Sequence, residues 1–192
     1  MRKVVNILFV VISVLIVSNL CPQPQSSTNP IQTNPHTEQL RERNQNLYQQ
    51  YSTVKQLLID NSFSSDTSVI SNVSSSIVKY TNKYNIDIDL AYGIVMEENP
   101  WLVSDTVSHA GAYGIFQIMP QYWANTFPEC GDYTTIDGNV CIGIRIIQHY
   151  LDTNTTVEGA LLAYNGCHWE ACSGYSDNVY SYIDDFRLFS LE

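Results

Sequence analysis

Asn85-Ile86-Asp87-Ile88-Asp89-Leu90-Ala91-Tyr92-Gly93-Ile94-Val95-Met96-Glu97-Glu98, followed by Asn99 and Pro100, is the stretch on which the fold turns. Leu90, Ala91, Ile94 and Val95 share one face at helical spacing, which predicts a helix over 87–98, and Pro100 forbids its continuation. Glu97 and Glu98 then occupy the last turn, where the helix dipole presents partial negative charge and Lys or Arg would be the ordinary choice. That dipole and the apolar neighbours raise a carboxyl pKa, and a carboxylic acid still protonated near neutral pH is what general acid catalysis requires. Two solvated glutamates at an exposed helix end are the plain alternative. Adjacent helical residues diverge by about 100°, so the two do not form a paired-carboxylate dyad. One of them serves a site, if either does.

Outward from this helix the chain reads mainly helical. Asp66 can cap a helix carrying Ile70, Val73, Ile77 and Tyr80. Asn139–Leu151 is apolar nearly all round, as expected of a central buried helix. Thr155-Thr156-Val157-Glu158 reads as a capping box opening a helix through Ala160, Leu161 and Ala163 that stops at Gly166. Between the first and second of the strongly apolar helices lies a glycine-containing turn, Ala110-Gly111-Ala112-Tyr113-Gly114, and Ile115–Met119 after it is expected to be extended, as a short β ribbon. The main domain is placed at 66–192. Leu40, Leu47, Tyr51, Val54 and Leu58 recur at helical spacing and predict an amphipathic helix over 38–60, a stalk, a docking helix for envelope machinery, or a helix packed on the domain. Residues 22–37, rich in Pro, Gln, Ser, Thr and Asn, read as a disordered linker.

The N-terminus and the cysteines point outside the cytoplasm. Arg2 and Lys3 precede an apolar run, Val4–Val17, so 1–21 reads as a signal peptide or signal-anchor that would tie the chain to a membrane. No small-x-small cleavage site follows it, and Leu20 before Cys21 does not match a lipidation site. Cys130, Cys141, Cys167 and Cys172 allow three connectivities, and neighbour pairing, Cys130–Cys141 and Cys167–Cys172, is the expectation. A four-thiolate zinc site is the rival, but neither pair has CxxC spacing, and the four His offer no i, i+4 pair. No metal and no cofactor is expected. With 9 Lys+Arg against 19 Asp+Glu and a net charge of -10, the chain has no basic cluster with which to neutralise phosphates, which excludes nucleic-acid binding.

The quoted helix resembles, without a gap, the helix of soluble lytic transglycosylases that ends in their catalytic Glu, a family related to goose-type lysozymes. The register gives that role to Glu98, with Trp101 at the aromatic position three residues on. Gly114-Ile115-Phe116-Gln117 and Ile118-Met119-Pro120 resemble the family's Gly-x-x-Gln and x-Met-Pro motif. Asp137, Asn139 and Gly143 match a weaker third signature, Ala163-Tyr164-Asn165 the Ala-Tyr-Asn motif, and Tyr182-Ile183-Asp184-Asp185-Phe186 the closing Tyr-Val-x-x-Val. The resemblance covers roughly residues 70–187.

It implies a lysozyme-like α+β fold, mainly α, with the ribbon beside an active-site cleft, and peptidoglycan glycan strands as substrate. Gln117 and Asn165 would hydrogen-bond sugar or acetamido groups, Tyr164 would line the subsite, and Met119 and Phe116 would form its apolar wall. Tyr182, with Tyr180 as the fallback, would orient Glu98. The expected reaction is cleavage of the MurNAc-β-1,4-GlcNAc bond with formation of 1,6-anhydroMurNAc ends, using one acid and the substrate's own N-acetyl group. Hydrolysis by a goose-type muramidase and a non-catalytic peptidoglycan-binding module of a cell-wall-spanning apparatus are the rival readings. One departure stands beside the acid: the family usually has Ser directly after the catalytic Glu, and here Asn99 takes its place.

Overall fold

The structure, a computed structural model, describes residues 34–167 and 173–191. The signal or anchor segment 1–21, most of the linker and Cys172 lie outside the described residues. Among those described, no helix is long and apolar enough to cross a membrane.

Among the described residues seven α-helices follow in order: α1 (Pro35–Asn61), α2 (Thr67–Tyr84), α3 (Ile88–Glu98), α4 (Pro120–Trp123), α5 (Ile136–Thr153), α6 (Val157–Tyr164) and α7 (Ser173–Phe189), with a 3₁₀ turn at Pro128–Cys130. Their ends follow local chemistry. Asn34 accepts a hydrogen bond from the His36 amide at 3.0 Å, and Pro35 stands at the first helical position, where a missing N–H costs nothing. Asp66 accepts from the amides of Ser68 and Val69 at 2.8 and 3.2 Å and so opens α2. Thr135 does the same for α5 through the Gly138 amide. The cap of α6 is Thr156, bonded to the Gly159 amide, one residue later than the capping box implies, so Gly159 and not Glu158 stands at the third helical position.

The core gathers around α5, whose Val140, Ile142, Ile144, Ile146 and Ile147 are all buried and meet α2 on one side and α6 on the other. Each such side chain contributes about 1.5–3 kcal/mol on burial. Gly143 lets Phe116 lie against this helix: a Cβ there would stand 2.3 Å from the Phe116 ring. Only the C-terminal half of α1 docks on the core, through Val54, Leu57 and Leu58, while Leu40 and Tyr48 remain exposed. Cys130–Cys141 is a disulfide tying the 3₁₀ turn to the first turns of α5.

The expected β ribbon is absent. Among the described residues there are no strands, only isolated bridges joining Val107 to Tyr113 and Tyr113 to Ile118. Gly114 at φ 78° and Gln117 at φ 43° are both left-handed, and Gln117 N–H bonds back to Gly114 O, so 114–117 curls into a turn where extension was expected. The expectation of a mainly helical fold therefore holds, and that of a β ribbon is replaced by a turn.

Candidate active site

Glu98 stands at the C-terminal end of α3, and what places its surroundings is the antiparallel packing of α3 on α7. The pairing runs in register along both helices. Arg187 bonds Asp89 at 2.7 Å, Tyr92 meets Phe186 with ring centroids 5.5 Å apart, and Asn178 donates to Glu97 at 3.1 Å. At the centre Gly93 permits close approach, since a Cβ there would lie 2.9 Å from the Val179 carbonyl oxygen. The same register puts the Tyr175 hydroxyl on Glu98, donating to Oε1 at 2.7 Å.

The electrostatics follow from this packing. Burial is the dominant influence on Glu98 and, with the nearby Glu97, raises its pKa from 4.5 to about 7, against the Tyr175 hydrogen bond, which favours the ionised form. Burial and the Glu98 charge push the Tyr175 hydroxyl far up, so it serves only as a donor. Glu97 is turned to Asn178, and among the described residues no other carboxylate acts on Glu98.

The hydroxyl on the acid is thus neither Tyr182 nor Tyr180, as expected from the sequence. Tyr182 is seven residues further along α7, about 10 Å of helix rise. It is half-buried and is influenced by Glu97 and Asp185. Tyr180 is exposed. A signal for Tyr175 was present: Tyr175 and Val179 have the same four-residue spacing as the ends of the closing Tyr-Val-x-x-Val, with a Ser in the second place.

The other expected site residues divide into those at the site and those that build it. Tyr164 is half-buried within reach of the Glu98 charge, and its hydroxyl donates to the Phe116 carbonyl at 2.8 Å. Gln117 and Met119 are half-buried, and Asn165 is exposed where α6 ends. Gln117 donates to Gly114 O at 2.8 Å, which holds its amide against the turn. Phe116 does not form an exposed wall: it is 0% exposed, and its backbone, not its ring, connects to Tyr164.

Two asparagines hold the turn in place. Asn139, 1% exposed, accepts from Phe116 N–H at 2.8 Å and donates to the carbonyls of Tyr113 and Tyr133 at 2.9 and 3.3 Å. A Cβ on Gly114 would stand 2.5 Å from its amide nitrogen, which gives the glycine a steric reason besides its φ. Asn99, 5% exposed, brackets Val103 through that residue's N–H and C=O and donates to Gly114 O at 3.2 Å. Its amide group is spent on the protein's own backbone. Asp137 accepts from Ser76, Lys79 and Tyr80, which joins α2 to α5. No group of His, Cys, Asp and Glu among the described residues could hold a metal ion.

A carboxyl raised to about 7 by burial, with a hydroxyl donor on it, is an arrangement chemically suited to acid-assisted bond cleavage. The family model described as Transglycosylase SLT domain matches residues 75–171, half of the chain, and the protein belongs to that family. Its members are lysozyme-like, glycosyl-cleaving and directed at peptidoglycan. No curated protein and no solved structure gave a significant match. Tyr175, α1 and Phe63 all lie beyond the matched residues.

Proposed function

We propose that the protein is a peptidoglycan lytic transglycosylase acting outside the cytoplasm, with Glu98 as its single catalytic acid. The observation that carries this reading is that, among the described residues, Glu98 is the one carboxyl raised toward neutrality: burial takes its pKa to about 7, and Glu97, the other carboxylate acting on it, is bonded away to Asn178. A two-carboxylate hydrolase needs a second group facing the scissile bond, whereas a substrate-assisted route does not.

In the first step Glu98 gives its proton to the glycosidic oxygen. The acetamido oxygen of the muramic sugar attacks its own anomeric carbon, and the leaving sugar departs as an alcohol. Glu98, now ionised and steadied by the Tyr175 hydroxyl, takes the proton of the 6-hydroxyl. That oxygen displaces the acetamido oxygen at the anomeric carbon and closes a 1,6-anhydro ring. Gln117, Asn165, Tyr164 and Met119 line the sugar positions. Residues 1–21 carry the chain across the membrane or anchor it there, and the Cys130–Cys141 disulfide agrees with an oxidising compartment.

Purified wild-type protein should release muropeptides from peptidoglycan, and Glu98→Gln should lower that rate by roughly 10²–10⁴-fold. Wild-type protein that binds peptidoglycan and releases nothing would sink the enzymatic reading in favour of a binding module.

A further inference from the structure

Two of the most exposed aromatic rings of the described residues lie against each other beside the acid. Phe63 and Trp101 are 63% and 61% exposed, with ring centroids 4.7 Å apart and planes tilted by 36°. They come from different parts of the chain, Phe63 from the connection between α1 and α2 and Trp101 from the loop after α3. Their contact is held by backbone, because Phe63 N–H bonds Pro100 O at 2.8 Å. The neighbours of Phe63 are anchored too: Ser62 bonds the end of α1 through both its amide and its hydroxyl, and Asn61 donates to the Tyr92 hydroxyl on α3. The loop beyond Trp101 is fixed by the Asn99 bracket on Val103. Both rings are thus displayed on pinned backbone.

Single exposed apolar residues need no explanation, but a contiguous apolar patch beside a catalytic group does. Trp101 is three residues from Glu98, so at most about 10 Å of extended chain separates their Cα atoms. A strand held at Glu98 continues on both sides of the bond being cleaved, and a pyranose with equatorial substituents presents axial C–H groups that suit an aromatic face. We propose that Phe63 and Trp101 form a platform on which an N-acetylhexosamine ring of the same strand stacks, at a subsite beyond the cleaved bond. The inference rests on the glycan-cleaving reading of Glu98. It gives the segment preceding the family domain a part in binding, and it makes the enzyme favour long strands over short ones.

The test is calorimetric titration of the full chain carrying Glu98→Gln, which prevents turnover, with chitohexaose and with chitobiose. Adding Phe63→Ala or Trp101→Ala should weaken chitohexaose by roughly tenfold, the size expected of one lost stacking contact. Chitobiose affinity should fall by much less, and Trp101→Phe should restore most of the chitohexaose affinity, which a folding defect would not. Chitohexaose affinity within twofold of the parent in both alanine variants would overturn the proposal. So would loss of self-association on Phe63→Ala with no change in sugar binding, which would mean that a second copy covers the rings. Muropeptide release by the wild type, measured in parallel, keeps the two readings apart. Release with unaltered chitohexaose affinity defeats the platform alone, and weakened affinity without release defeats the catalytic reading alone.

Discussion

At Glu98 burial and a hydrogen bond pull in opposite directions, and both have measurable consequences. Burial raises the carboxyl to about 7, so the fraction protonated, and with it the rate, should fall as pH rises through about 7. The Tyr175 hydroxyl favours the ionised form. Tyr175→Phe should therefore move the alkaline limb of the pH–rate profile to higher pH while lowering the rate, and an unmoved limb would show that this hydroxyl does not act on the acid. Stability gives an independent check. An unfolded chain releases this proton near 4.5 and the folded one near 7, so the folded state binds more protons between those values. Raising pH through that window costs stability, and the cost is complete above about 7. For so largely buried a carboxyl, a rise from 4.5 to about 7 corresponds to a cost on the order of 3 kcal/mol. Glu98→Gln should thus stabilise the protein relative to wild type at about pH 8 and change little at about pH 4, as thermal melts would show.

Helix α3 and the turn at 111–117 are each legible to a different depth. The α3 boundary follows from the apolar spacing of Leu90, Ala91, Ile94 and Val95 and from Pro100, because both act within a few residues. The placement of Tyr175 depends on the register of α7 against α3, a contact across 77 positions that no local pattern encodes. Ribbon and turn share one local pattern for a related reason: Ile115, Phe116 and Ile118 are apolar because they are buried, not because they are extended. Phe116 is likewise core and not cleft because its ring packs against Gly143, a fit that no local pattern encodes. The buried Asn139 side chain binds that turn to α5 with two hydrogen bonds, to Phe116 N–H and the Tyr113 carbonyl, and holds the approach to α5 with a third, to the Tyr133 carbonyl. Asn139→Ala leaves an amide and two carbonyls without those partners and should cost about 2–4 kcal/mol. Denaturant titration would measure it, and a cost below about 0.5 kcal/mol would mean that the turn is held by something else.

For the whole molecule, stability rests on one helical core with a covalent staple at its edge. The Cys130–Cys141 disulfide spans a sequence separation of 11, and closing so short a loop stabilises by about 2–3 kcal/mol. Replacing both cysteines by Ser should lower the melting temperature by several degrees and leave the far-ultraviolet spectrum helical. The net charge of -10 gives the protein no long-range attraction to an anionic wall, so the proposed function requires short-range contacts to hold the substrate. How the anomeric carbon is capped after cleavage is the point on which the account stands. Mass analysis of muropeptides released in ¹⁸O-labelled water reads it directly. A single-acid transglycosylase releases ends lighter than hydrolysed ones by one water and free of label, lost together in Glu98→Gln. Hydrolysed, ¹⁸O-bearing ends with no anhydro species would contradict it.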